Sequence, residues 1–129
     1  MLKIDLHVHT CYSADAATTP KEVVAYSKKR GLDGIAITDH DTLRGALRLT
    51  NQEELIVISG IEITTLDGHV LALNVCEEVP PKMTLSETIG WVQRLGGIAI
   101  AAHPKTIYGG IGQQIISPLG FDAIEVINS

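Results

Sequence analysis

The chain has only two cysteines in 129 residues, Cys11 and Cys76, and they form no CxxC pair. Such sparse, distant cysteines argue against a disulfide framework and read as reduced thiols, one near a loop and one at a strand end. Aromatic residues make up only 4% of the sequence, so its core must be aliphatic, and a hydrophobic content of 45% is enough for a globular fold. No apolar run reaches membrane-spanning length, and Met1-Leu2-Lys3-Ile4-Asp5 lacks a signal peptide's apolar core. A soluble cytoplasmic protein with no membrane partner is therefore expected. Basic runs are also missing, and the net charge of −5 argues against non-specific nucleic-acid binding, which needs a basic face. Bound divalent cations would reverse the local field, so an acidic chain can still take an anionic substrate. With no repeat, low-complexity segment or linker, residues 1–129 read as one domain or a piece of one.

What is present is an alternation of strand-like and helix-like segments. Ile4 to Thr10 alternates with period two, which places Asp5, His7 and His9 on one face of a strand. Thr19-Pro20 opens a helix whose stripe is Val23, Val24, Tyr26 and Ser27, and Gly31 ends it after a basic last turn. Ile35-Ala36-Ile37 reads as a buried strand running into Thr38-Asp39-His40, and a weaker helix is expected from Leu43 to Glu53. Leu55 to Ile58 leads into Gly60-Ile61-Glu62-Ile63-Thr64, and Leu66-Asp67-Gly68 turns into a strand over His69–Val75, a hairpin. Thr84 and Glu87 form a capping-box signature for a helix with Ile89, Trp91, Val92 and Leu95 on its core face, ended by Gly96-Gly97. Ile98–Ala102 is a further strand, Tyr108–Gly112 a loop, Gln113–Ile116 a helical turn, and Phe121–Ile127 the last strand. This order predicts an α/β fold with a largely parallel sheet, whose working groups gather at the strands' carboxyl ends.

All five histidines, His7, His9, His40, His69 and His103, fall at strand ends or turns on what should be one edge. The hairpin brings His69 back beside Glu62, and Asp15 and Glu62 supply negative charge. Imidazole with carboxylate suits zinc, manganese or iron, and no thiolate joins the set. So many ligands point to two or three divalent ions, with Glu62 as the bridging carboxylate.

Asp5-x-His7-x-His9, Thr38-Asp39-His40, Gly60-Ile61-Glu62 and Ala102-His103-Pro104 together resemble the PHP (polymerase and histidinol phosphatase) family. Ile37 to Thr42 looks most like its stand-alone phosphoesterase branch. The resemblance covers nearly the whole chain. It implies a distorted, TIM-like β/α barrel with a trinuclear metal centre that hydrolyses phosphoesters, with Glu62, His103 and His40 at the heart of catalysis. Carried over residue by residue, His7, His9 and Glu62 hold one metal, Glu62, His69 and His103 a second, and Asp15 and His40 a third. Asp5 and Asp39 then orient histidines by accepting their other N–H. The family's last motif, an Asp and a His close together, finds no match before Ser129, and a closed barrel needs on the order of 250 residues. An incomplete or open barrel is therefore expected, from a truncated chain, a fragment, or a short variant completed by a partner chain. In that case the Glu62-His69-His103 set should be the most metal-loaded.

A metal-activated water would attack phosphorus, with no Ser, Cys or Lys nucleophile required. Lys105 and Arg44 are candidate phosphate contacts, Tyr12 lies near the metal mouth, and Glu125 is left outside the ligand set. The expected substrate is a small phosphorylated metabolite or a nucleotide. Alternatives are a nuclease acting on nucleic-acid ends and a metal-binding remnant without catalysis.

Overall fold

The computed structural model describes residues 1–49, 52–104, 110–112 and 119–126. Six strands, β1 (Ile4–Val8), β2 (Gly34–Ile37), β3 (Ile56–Thr64), β4 (His69–Leu73), β5 (Ile98–Ala101) and β6 (Ala123–Ile124), lie side by side in chain order. They make a curled half-barrel, as an incomplete barrel of the expected type would. β1, β2 and β3 run parallel, as do β5 and β6, whereas β4 is antiparallel to both neighbours. The sheet is thus more mixed than a largely parallel one. The cause is local: Thr65 N–H donates to Gly68 O (2.9 Å), closing a turn too short for a parallel crossover.

Helices α1 (Pro20–Lys29) and α3 (Leu85–Arg94) open as expected, with Thr19 and Thr84 in reciprocal capping boxes with Glu22 and Glu87. Their core faces differ from the sequence reading at one residue each. Val23, Val24 and Ser27 are buried but Tyr26 is exposed, and Ile89 and Val92 are buried while Trp91 lies partly outside under Arg94. The helix expected over 43–53 is a single turn, α2 (Arg44–Leu47), whose N-cap Leu43 offers no side-chain acceptor. β4 stops at Leu73 because Asn74 takes a left-handed φ of 59°. β5 ends one residue early at Ala101, and the last strand is only the pair Ala123–Ile124. The expected helical turn at 113–116 lies outside the described residues. No helix among those described is long and apolar enough to cross a membrane.

Alternation sorts the sheet into two faces. The larger core cluster joins Ile35, Ile37, Ile61, Ile63 and Val70 to α1 and α3 through Val23, Val24, Ile89 and Val92. The inner face carries a smaller cluster of Ala36, Leu71, Leu73, Ile100 and Ala102. Glu62 pairs across the ladder with Leu71, and Thr64 with His69, so Glu62 and His69 project from this inner face. A buried carboxylate on an apolar face is costly unless it is paired. Its partners define the site.

Candidate metal centre

Each contributor is fixed by backbone at the carboxyl edge of the sheet. His7 lies within β1 and His9 just beyond it. An extra residue between Asp5 and Val8, against Ile35 to Ile37 on β2, interrupts the alternation of β1. Thr10 is fully buried and donates to Asp39 twice, from N–H (2.6 Å) and Oγ1 (2.8 Å). Ser13 Oγ accepts the His40 N–H at 2.7 Å, so the loop bearing Asp15 is tied to the end of β2. Gly45 makes room for this clamp, since a Cβ there would lie 1.9 Å from Asp39 Oδ2. His40 is held against β3 by a parallel bridge to Glu62, and the next residue, Asp41, donates its N–H to Glu62 O (3.0 Å). His103 follows β5, and its N–H donates to Glu125 Oε2 at 2.6 Å.

The five imidazoles converge on one carboxylate, and Glu62 is only 1% exposed. Glu62 Oε2 faces His7 Nε2 (3.0 Å), His9 Nε2 (2.7 Å) and His40 Nε2 (3.4 Å). Oε1 faces His69 Nδ1 (3.1 Å) and His103 Nε2 (2.8 Å). Asp15 Oδ2 lies 2.9 Å from His9 Nδ1 and 3.5 Å from His40 Nε2. His7 Nδ1 meets Glu125 Oε1 at 2.9 Å. That contact joins the two edge strands, β1 and β6, and shows how far the sheet curls.

Charge follows from this crowding. Burial works against ionisation of Glu62, yet hydrogen bonds from His69, His7 and His9 outweigh it and hold the carboxyl far below its usual range. Burial likewise disfavours a charged His7, but Glu62 and Glu125 overcome it and push the imidazole up to about 9. His9 is raised against its own burial by Glu62 and Asp15, and Asp15, despite some desolvation, is lowered by His9 and His40.

The donor set fits divalent ions. His7 Nε2 and His9 Nε2 lie 3.2 Å apart, and His69 Nδ1 and His103 Nε2 lie 3.3 Å apart, each pair facing the same Glu62 oxygen. Ligands about 2.0–2.1 Å from a tetrahedral ion are separated by about 3.3–3.4 Å, close to these spacings. Among the described residues, His7-His9-Glu62, His9-Asp15-His40 and His40-Glu62-His69 each bring their ligand atoms within 4.8 Å of one another. Glu62, His69 and His103 are at least as close, given the distances above.

All seven ligand candidates named from the sequence, His7, His9, Asp15, His40, Glu62, His69 and His103, thus come together. Two other assignments need correction. The Asp39 carboxylate is engaged by Thr10, and Asp5 accepts the backbone N–H of His7 (3.1 Å), so neither holds a histidine ring. Asp15 and Glu125 make those contacts instead. Glu125 is the residue that sequence reasoning missed: its strand-end position is a weak signal, and its direction depends on the curl that brings β6 to β1. Arg44 lies over the Tyr12 ring, 5.0 Å from its centroid, and Lys105 falls outside the described residues.

An α/β half-barrel with a histidine–carboxylate cluster at its strand ends has the architecture of a metal-dependent hydrolase. The PHP domain profile matches residues 5–101, and the chain belongs to the PHP family. It is 34% identical over 142 residues to an uncharacterized protein of Methanocaldococcus jannaschii, across 99% of this chain and 82% of that one. A phosphoribosyl 1,2-cyclic phosphate 1,2-diphosphodiesterase of Eggerthella lenta is 35% identical over 85 residues, spanning 59% of this chain and 32% of that protein. Among solved structures, an inferred metal-dependent phosphoesterase from Bifidobacterium adolescentis is similar in fold, with a TM-score of 0.78 at 20% identity. It matches across 96% of this chain and 77% of that one.

Proposed function

We propose that this chain is a metal-dependent phosphoesterase that hydrolyses phosphate esters of small metabolites or nucleotides. The observation that carries the reading is the buried Glu62 carboxylate with five imidazole nitrogens within 3.4 Å, at the open edge of the half-barrel. His7, His9 and Glu62 would hold one divalent ion, and Glu62, His69 and His103 a second. Asp15 and His40, with His9 adjoining, would hold a third. Zinc, manganese or iron matches this nitrogen–oxygen set. Such ions supply positive charge for the phosphoryl oxygens and acidify an attacking water.

The chain's own residues do the rest. Glu62 fixes the spacing between the two ends of the cluster. Glu125 and Asp15 set the ring orientation of His7 and His9, as carboxylates behind metal-ligating histidines do. Arg44, braced on Tyr12, would be the cation that meets a phosphoryl oxygen. The acidic balance, −5 overall, favours a small substrate over a nucleic-acid end. The exposed thiols Cys11 and Cys76 suit a reducing, cytoplasmic setting.

The test is metal analysis of purified protein, followed by hydrolysis of phenyl phosphate and of a 3′-phosphorylated nucleotide after reconstitution with manganese or zinc. Bound metal with turnover of either ester is the expected result. Cleavage of single-stranded oligonucleotides alone would favour the nuclease alternative. Metal without turnover of any ester would leave a binding remnant.

A further inference from the structure

The loop that presents Asp15 to the histidines also forms one wall of a cavity that the metal centre does not use. This cavity, about 600 Å³, is lined by Cys11 and Tyr12 from the loop, Thr19 and Lys21 at the start of α1, and Arg48 and Gln52 beyond α2. Its volume lies within the usual range for small-molecule sites, about 300–1,000 Å³. Val24 and Leu49 give it an apolar floor. Although the chain is acidic overall, no carboxylate lines this cavity among the described residues, and two cations do. Neither Lys21 nor Arg48 forms an ion pair among the described residues, whereas Lys28 is paired with Glu54.

The cavity also lies within reach of the centre. Tyr12 is three residues from both His9 and Asp15, so its Cα lies within about 11 Å of each. The loop between them is not free to swing away, because Thr10 is clamped by Asp39 and Ser13 by His40 N–H. Arg44 braces the Tyr12 ring. A molecule with a phosphate at the histidines can therefore lay its other end across Tyr12 and into this space.

Resting on the phosphoesterase reading, we infer that this cavity is the subsite for the leaving-group end of the substrate. It takes a flat, apolar body against Tyr12 and a distal anion, carboxylate or phosphate, between Lys21 and Arg48. The preferred substrates are then organic phosphates with a second negative group remote from the scissile one. Charge-assisted hydrogen bonds to that group would give a preference of about tenfold or more.

The test uses the metal-reconstituted full chain and three matched esters: phenyl phosphate, 4-carboxyphenyl phosphate and 1,4-phenylene bisphosphate. We expect kcat/KM about tenfold or more higher for at least one of the doubly anionic esters. The two arms separate carboxylate from phosphate. Lys21→Gln with Arg48→Gln should erase the preference and leave phenyl phosphate turnover unchanged. Equal turnover of all three esters, or a preference that survives in the double variant, overturns the inference. A readout without turnover separates this subsite from the proposed activity. Cys11 in the cavity wall and Cys76 are both exposed thiols. The non-hydrolysable 4-carboxyphenylphosphonate should slow alkylation of Cys11 by iodoacetamide, leave Cys76 unaffected, and lose its effect in the double variant. Protection without esterase activity would retain the cavity and remove the proposed reaction. Activity with neither preference nor protection would do the reverse.

Discussion

The two oxygens of the Glu62 carboxylate look onto differently built surroundings. Oε1 faces His69, the ladder partner of Thr64 in the β3–β4 hairpin, and His103, tied through its backbone to Glu125. Oε2 faces His7, His9 and His40, and behind them stands Asp15, which is 51% exposed on a loop. The Oε2 end is finished by this half-exposed loop carboxylate, whereas the Oε1 pair comes from the start of β4 and the residues just after β5, with His69 22% and His103 13% exposed. Groups set on a ladder hold their geometry without a ligand, whereas loop groups at an open mouth are where ligands exchange. On the proposed function, the Oε1 end would suit an ion that stays, and the Asp15-bearing end ions and phosphoryl oxygens that come and go.

The most severe way to break the comparison is to remove what the two ends share. Glu62→Gln should strip metal from both and reduce ester hydrolysis by roughly 10³-fold or more, since it withdraws several kcal/mol of charge stabilisation. Metal analysis and steady-state rates report this directly. A variant with full metal content would show that Glu62 bridges nothing. Less drastic is to break one end at a time. His103→Ala should cost about one ion per chain, and Asp15→Asn should instead weaken the more exchangeable ion while leaving the tight one in place. If His103→Ala left the stoichiometry unchanged, the Glu62-His69-His103 set would not be a site. Smaller again is Glu125→Gln. It keeps the shape of the hydrogen-bonding group but removes the charge behind His7, and should lower metal affinity by about 10–100-fold. Competition with a chelator would measure it.

Much of this was legible before any coordinates. The N-cap at Thr19, the capping box at Thr84, the buried runs, and the placement of every histidine at a strand end or turn are local patterns readable from residue type and spacing. The ligand set follows from those patterns plus one topological rule, that working groups collect at strand carboxyl ends. What stayed hidden depends on contacts between distant segments. Asp39 turns to Thr10 because the loop after β1 folds over the end of β2. Asp5 sits just before the irregularity in β1, which no pattern of residue types marks. Glu125 gains its role only when the sheet curls far enough to set β6 beside β1.

The gentlest probe sharpens the comparison through protons alone. In the metal-free protein, His7 is held up to about 9 from an ordinary 6.5, so its contribution to stability is full below pH 6.5 and is lost as pH rises through about 9. Glu62 is held below its ordinary 4.5, so its contribution is present above that value and is lost as pH falls beneath it. Melting temperature of the metal-free chain should therefore be highest between about pH 4.5 and 6.5 and decline on either side. Metal loading changes the alkaline arm, because ligating imidazoles must be neutral and uptake displaces their protons. Loaded protein should thus hold its melting temperature from pH 6.5 to 9, where the metal-free form loses it. Glu125→Gln should move the metal-free decline to lower pH, since one of the two carboxylates that keep His7 charged is gone. A metal-free melting curve that stays flat between pH 6.5 and 9 would mean that His7 is not held by these carboxylates, and the distinction between the two ends of Glu62 would lose its electrostatic basis.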